Sequence, residues 1–232
     1  MNGFDYVNKN IEEIRGKIEA INKNVKLLGV TKTFSVEAVD SAVKAGLTEF
    51  GESKVQEAAD KIDTINRMHK GIKWHFVGHL QSNKVRKVVE KFEVIESCDS
   101  AGLLEKISSV SLEAGRTTEC LLEIKVSGEE TKFGILPEDA LSVIEKVKNL
   151  GGIRIKGIMT MAPYSDNPEN ARPYFKRAKE LFDAIQSSNP GGNVTMEVLS
   201  MGMSDDFKPA IEEGSTQVRI GTAIFGRRDY TL

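Results

Sequence analysis

Three groups of side chains in this sequence stand where they could do chemistry. The first is Lys32. It follows the apolar run Leu27-Leu28-Gly29-Val30, so its stem begins inside a buried strand end. Burial disfavours an ammonium and lowers a lysine's pKa. A neutral lysine amine attacks an aldehyde and forms a Schiff base. A lysine at a strand end also snorkels, with its stem on apolar surface and its head in water, so position alone leaves both roles open. The second group is a pair of small, donor-rich loops. Met201-Gly202-Met203-Ser204 lies between an apolar run and a segment that reads as a helix from about Asp205. Gly202 permits close backbone approach. Free N–H groups at a helix start, with the Ser204 hydroxyl, can cradle a phosphate. Gly221-Thr222 offers the same chemistry further on. A bare turn is the alternative, and Asp205 and Asp206 would repel a phosphate unless they point outward. The third is Arg219, between Val218 and Ile220. A buried arginine needs an acceptor: a carboxylate such as Glu197 or Glu123, or the ring nitrogen of a ligand.

Other chemistries find few residues. His69, His75 and His79 make no metal motif, because Trp74 to Val77 reads as strand and His75 and His79 need not share a face. There is no GxSxG elbow, no P-loop and no carboxylate pair at a recognisable spacing. Cys98 and Cys120 belong to no CxxC pair and read as buried thiols in a reducing cytosol. The formal net charge of −2 gives no basic excess for nucleic acid. The opening residues Met1 to Tyr6 lack a basic region followed by an apolar stretch, and no apolar run approaches the ~20 residues that cross a membrane. A cytoplasmic protein is expected.

The elements that must position these residues alternate in type. Phe4 to Ile21 reads as an amphipathic helix, with Ile11, Ile14, Ile18 and Ile21 at helical spacing. Strands are expected at 25–30, 48–52, 72–78, 94–97, 119–126, 153–161, 194–200 and 217–225. Helices fill the intervals, one of them capped by Ser35 and one opened by Pro137. Strict alternation implies parallel strands with right-handed crossovers. Eight strands in 232 residues favour a closed (β/α)8 barrel over an open doubly wound sheet. In a barrel the carboxyl ends of the strands build the active face, which is where Lys32, Ser53, Ser204 and Thr222 fall.

The same residues sit in longer strings. These are Val30-Thr31-Lys32-Thr33, Phe50-Gly51-Glu52 with Val55-Gln56-Glu57, and Trp74-His75-Phe76-Val77-Gly78 with Leu80-Gln81-Ser82-Asn83-Lys84. Thr131-Lys132-Phe133-Gly134, Gly157-Ile158-Met159-Thr160-Met161-Ala162, Leu199 to Asp206 and Val218 to Gly226 follow. In this order they resemble the pyridoxal phosphate homeostasis proteins, which are similar to the barrel domain of alanine racemase. The resemblance implies one TIM barrel over residues 1–232 with an extra N-terminal helix, and pyridoxal 5′-phosphate (PLP) as cofactor. It implies that Lys32 forms the internal aldimine, that Ser204, Gly221 and Thr222 hold the phosphate, that Arg219 meets the pyridine nitrogen and that Met201 packs against the ring. Ser53 and His75 complete the expected cofactor-binding set, and no metal is expected. Two departures stand out. Ser53-Lys54 replaces the family's Asn-Tyr, so Ser53 would make a shorter or water-bridged contact, and Phe34-Ser35 replaces its proline.

The role implied is intracellular PLP homeostasis without turnover. An arginine at the ring nitrogen is a fixed cation with no proton to give. The racemases add a β-domain that supplies a second acid/base residue. Only six residues follow Gly226 here, and Tyr230 among them is a poor substitute. A monomer is expected, with PLP and PLP-dependent apoenzymes as partners. The alternatives are a weak PLP-dependent amino-acid racemase and, further off, an aldolase-like enzyme that uses Lys32 directly.

Overall fold

The computed structural model describes residues 4–127 and 133–226. Thr131, Lys132 and Tyr230, named above, lie outside the described residues. Helix α1 (Asp5–Glu19) comes first and buries Val7, Ile11, Ile14 and Ile18. Then the alternation begins, with β1 (Lys26–Val30), α2 (Val36–Lys44), β2 (Glu49–Glu52), α3 (Val55–Met68), β3 (Lys73–Phe76) and α4 (Val85–Lys91). It continues with β4 (Val94–Cys98), α5 (Ala101–Glu113), β5 (Thr118–Ile124), α6 (Ala140–Val147), β6 (Ile153–Thr160) and α7 (Arg172–Ser188). It ends with β7 (Val194–Ser200), α8 (Phe207–Glu212), β8 (Gln217–Ile220) and α9 (Thr222–Phe225).

The eight strands pair in parallel in chain order, and β8 closes on β1 with Leu28 opposite Arg219 and Gly29 opposite Ile220. The architecture is therefore the expected (β/α)8 barrel with an additional first helix. Ser35 caps α2 by accepting from the Ala38 N–H at 3.5 Å. Among the described residues no helix is long and apolar enough to cross a membrane.

One expected element is corrected. The eighth strand stops at Ile220, and residues 222–225 form a helical turn instead of extending it. Gly221 leaves the extended region at φ −112°, ψ −78°. The turn carries Ile224 and Phe225 into the apolar layer. There α1 ties them down, with Tyr6 Oη donating to the Phe225 carbonyl at 3.0 Å and Asn10 Nδ2 to the Ile224 carbonyl at 2.9 Å.

Two buried regions result from the strand alternation. Along β3, Trp74 and Phe76 join the apolar layer between strands and helices, whereas His75 between them does not. That layer holds Phe50, Trp74, Phe92, Phe175 and Ile107, all fully buried. The other region is the barrel lumen. It contains Glu96, Ser200, Gln217 and Arg219, also buried.

Candidate functional site

Lys32 lies two residues beyond the end of β1, and Thr31 between them is held at every polar atom. The Thr31 N–H donates to the Gly51 carbonyl at 2.9 Å, and its own carbonyl accepts from the Phe34 N–H at 3.0 Å. The Thr31 hydroxyl donates to Glu52 Oε1 at 2.7 Å. Lys61, from α3, donates to the Thr31 carbonyl at 2.9 Å and to Glu52 Oε1 at 2.8 Å. Thr31, Glu52 and Lys61 are buried, and Lys32 itself is half-buried. Thr33 then takes φ +73°, a left-handed conformation that costs a β-branched residue.

The two donor-rich loops meet beside this strand end. Ser204 Oγ accepts from the Ala223 N–H at 3.2 Å, joining the loop after β7 to the start of α9. A Cβ on Gly221 would lie 3.2 Å from the Val30 carbonyl, so this loop backs directly onto β1. Gly202 has φ +94°, and a Cβ there would lie 2.6 Å from the Ala210 Cβ, which only glycine avoids. The Asp206 carboxylate accepts from the Met203 N–H at 2.6 Å. Burial pushes its pKa up, against the opposing pull of that N–H and of Arg219. Asp205 is exposed, as is Thr222.

Arg219 anchors the floor. Its Nη1 donates to the Ser200 carbonyl and to Ser200 Oγ, both at 2.8 Å, and its Nη2 to the Thr160 carbonyl at 2.8 Å. No carboxylate is its direct partner among the described residues. Glu197 instead pairs with Lys156, and Glu123 acts on Arg219 only through space, as do Glu96 and Asp206. Burial lowers the Arg219 pKa, and those three carboxylates oppose the shift.

Below it, Ser200 Oγ donates to Glu96 Oε2 at 2.7 Å, and Gln217 Nε2 donates to Glu96 Oε1 at 2.7 Å. β4 and β8 are not neighbours, so this last bond spans the lumen. His75 Nδ1 lies 2.7 Å from Glu96 Oε1. Its Nε2 lies 3.2 Å from Glu49 Oε2, off the direction of a hydrogen bond. Both ring nitrogens of His75 therefore face carboxylates inside the barrel.

At the mouth, a cavity of about 200 Å³ is lined by residues that include Glu123, His79, Phe133 and Met161. Phe133 stacks on His79 at 3.7 Å between ring centroids. The Glu123 carboxylate makes no hydrogen bond or ion pair to another described residue. Burial, with a contribution from Asp99, pushes its pKa up to about 7 against the attraction of Arg219. A larger cavity, of about 610 Å³, lies outside the barrel between α1 and α2, away from every residue discussed here.

Of the residues expected from sequence, the structure brings Ser204, Gly221 and Thr222 together against the end of β1, with Arg219 in the lumen. Ser53 is half-buried, and its carbonyl sits 2.2 Å from where a Cβ on Gly78 would be, so that position must be glycine. Met201 and His75 are placed differently. Met201 is fully buried in the apolar layer, while Met161 and Met203 are the partly exposed methionines at the open face. His75 reaches the mouth only through Glu96 and Ser200. Sequence reading missed Glu96, Gln217, Glu52 and Lys61. Two of them had a signal: Glu96 is an acid inside the apolar strand Val94-Ile95-Glu96, and Lys61 falls on the apolar stripe Val55, Ala58, Ile62, Ile65 of α3.

A parallel barrel with a lysine at the end of β1, a buried arginine on β8 and donor loops after β7 and β8 defines a class. The chain belongs to the alanine racemase N-terminal domain family, whose model matches residues 4–229. Within it, the full-length relatives are pyridoxal phosphate homeostasis proteins. That of Aquifex aeolicus is 38% identical over 233 residues, covering 99% of this chain and all of the relative. That of Escherichia coli is 35% identical over 234 residues, covering 96% and 97%. PipY of Synechococcus elongatus, solved with PLP bound, superposes with a TM-score of 0.86 at 32% identity over 95% of this chain and 100% of that one. An alanine racemase of Clostridium difficile shares the fold, with a TM-score of 0.77 at 14% identity over 98% of this chain and 58% of its own.

Proposed function

We propose that residues 1–232 form a single domain that holds PLP at the carboxyl mouth of the barrel and serves PLP homeostasis without turnover. The observation that carries this reading is the junction of Ser204 and Ala223 against Val30. It brings the loops after β7 and β8 together beside the strand that presents Lys32. When bound, the cofactor supplies an aldehyde that condenses with a primary amine and a phosphate that takes hydrogen bonds. Lys32 is the covalent anchor. Ser204, Gly221 and Thr222 hold the phosphate, and Asp206 stays clear of it by turning onto the Met203 N–H. Arg219 faces the ring nitrogen, and Ser53 borders the ring. Met201 packs against the ring from the apolar side, and His75 completes the cofactor-binding set from inside the lumen.

The fit of the residues to the cofactor rests on the two glycines. A side chain at Gly202 has no room, and one at Gly221 would press on the Val30 carbonyl. The glycines thus let the two loops lie tightly against α8 and β1, beside the strand end that leads to Lys32. The reading as a holder and not a catalyst rests on Arg219. A guanidinium keeps its protons, so it leaves a ring nitrogen unprotonated and the ring a poor electron sink. PLP-dependent apoenzymes of the cytoplasm are the partners this role implies, and a monomer suffices for it.

The test is a visible absorbance spectrum after addition of PLP to the wild type and to Lys32→Ala. A protein-bound chromophore in the first and none in the second is expected. The same band in both would remove Lys32 from the site. Exchange of an amino acid's α-proton with solvent at rates above free PLP would overturn the holder reading in favour of a racemase-like enzyme.

A further inference from the structure

The lumen contains one connected chain of polar side chains, of which the reading above uses His75 and Arg219. It starts at Glu49, where β2 begins at the amino end of the barrel. It runs through His75, Glu96 and Ser200, and ends at Arg219. Along it stand, in order, a carboxylate, an imidazole, a carboxylate, a hydroxyl and a guanidinium. The His75 pKa shows how firmly this is set. Burial alone would lower it, yet Glu49 and Glu96 together hold it above the ordinary histidine value. In return the nearby His75 ring, against burial, holds Glu49 down to about 2. Lys26 and Lys73 also act on Glu49, and Asp206 and Glu123 act on Arg219.

Such a chain is a poor way to gain stability. Buried ion pairs are often no better than apolar side chains of the same volume, and barrel lumens are ordinarily filled with branched apolar layers. What the chain supplies is direction. The Ser200 hydroxyl has one proton, and it goes to Glu96 at 2.7 Å. The oxygen's lone pairs are then left to accept from Arg219 at 2.8 Å and from Gln217 at 3.1 Å. With the Ser200 and Thr160 carbonyls taking further guanidinium N–H groups, the head of Arg219 has a single orientation.

We propose that Glu96, His75 and Glu49 are positioning residues for Arg219, acting through Ser200 to fix the guanidinium and so the charge felt by a ring held at the mouth. The inference deepens the PLP reading and rests on it for the ring, but its ligand-free arm stands without it.

Ser200→Ala cuts the link while leaving the Ser200 carbonyl in place, and His75→Gln removes the titrating ring from the middle of the chain. In the PLP-loaded protein each change is expected to move the midpoint of the chromophore's pH titration by about half a pH unit or more. The double variant is expected to move it no further than the larger single, because both cut one chain. In the ligand-free protein, ¹⁵N NMR of the His75 ring is expected to show its titration midpoint rising in Arg219→Gln, since Glu96 then answers to one cation instead of two. Additive shifts, or a fall in Tm with the chromophore titration unmoved, would overturn the proposal. So would a His75 midpoint indifferent to Arg219. Should Lys32→Ala keep the wild-type band, the Lys32 reading fails, and the NMR comparison alone decides the proposal.

Discussion

The lumen and the layer outside the strands are equally dry, yet they are made of opposite materials. Outside, Phe50 and Trp74 lie with ring centroids 5.5 Å apart, and Phe76 meets Phe92 edge-on at 5.3 Å. Inside, His75 lies on the same strand as Trp74 and Phe76, turned the other way onto Glu96 of β4. The outer layer stabilises the protein by removing apolar area from water. The lumen costs desolvation that its hydrogen bonds largely offset, and what it gives is a fixed array of charge under the mouth. A fold can thus divide its interior between holding together and doing something, with a single strand serving both.

Substitutions can separate the two. The largest effect belongs outside: Trp74→Ala should cost about 3–5 kcal/mol in a urea melt, from lost area and the cavity left behind. The folded fraction should still bind PLP with wild-type affinity, and a changed affinity would mean that the two regions are not separable. Next comes Glu123, at the mouth end of the lumen. Its folded pKa of about 7 stands above the ordinary 4.5. A raised carboxyl favours the folded state at low pH, and that advantage is lost as pH climbs from the unfolded value through the folded one. Stability should therefore fall by up to about 3 kcal/mol between pH 4.5 and pH 7.5, and Glu123→Gln should flatten that slope. An unchanged slope would place the titration elsewhere. The smallest change in stability is expected of Gly202→Ala, about 1–3 kcal/mol from a left-handed backbone and a crowded Ala210. Its signature lies in binding: affinity for PLP should drop about tenfold, roughly one lost phosphate hydrogen bond, while affinity for unphosphorylated pyridoxal stays the same. Equal losses for both ligands would move the phosphate away from this loop.

The same division governs what the sequence makes legible. The outer layer writes itself as periodicity, so Ile11, Ile14 and Ile18 of α1 and the runs of β1 and β7 are readable, and with them the alternation that implies a barrel. β7 falls on its expected residues, 194–200. α9 was not readable, because Ala223-Ile224-Phe225 is as apolar as a strand and only the Gly221 turn and the α1 contacts make it helical. Lys32 and the glycine loops are legible because their residue types are unusual for their positions. The lumen network is hidden for a different reason. Its bonds join β4 to β7 and to β8, more than a hundred residues apart, and no local pattern reports a partner that distant.

The pairing of Leu28 with Arg219 and of Gly29 with Ile220 is the seam at which the barrel closes. It joins the first strand to the last, and Lys32 and the loops that carry Ser204 and Gly221 lie on either side of it. On the proposed reading, a ribosome therefore makes the anchoring amine early and its phosphate donors much later. Until β8 has emerged and found β1, there is only half a site, and a nascent chain halted before Gln217 should take up no cofactor. Loading then reports that synthesis is complete and the barrel is shut, so a cell would commit none of its reactive aldehyde to unfinished chains.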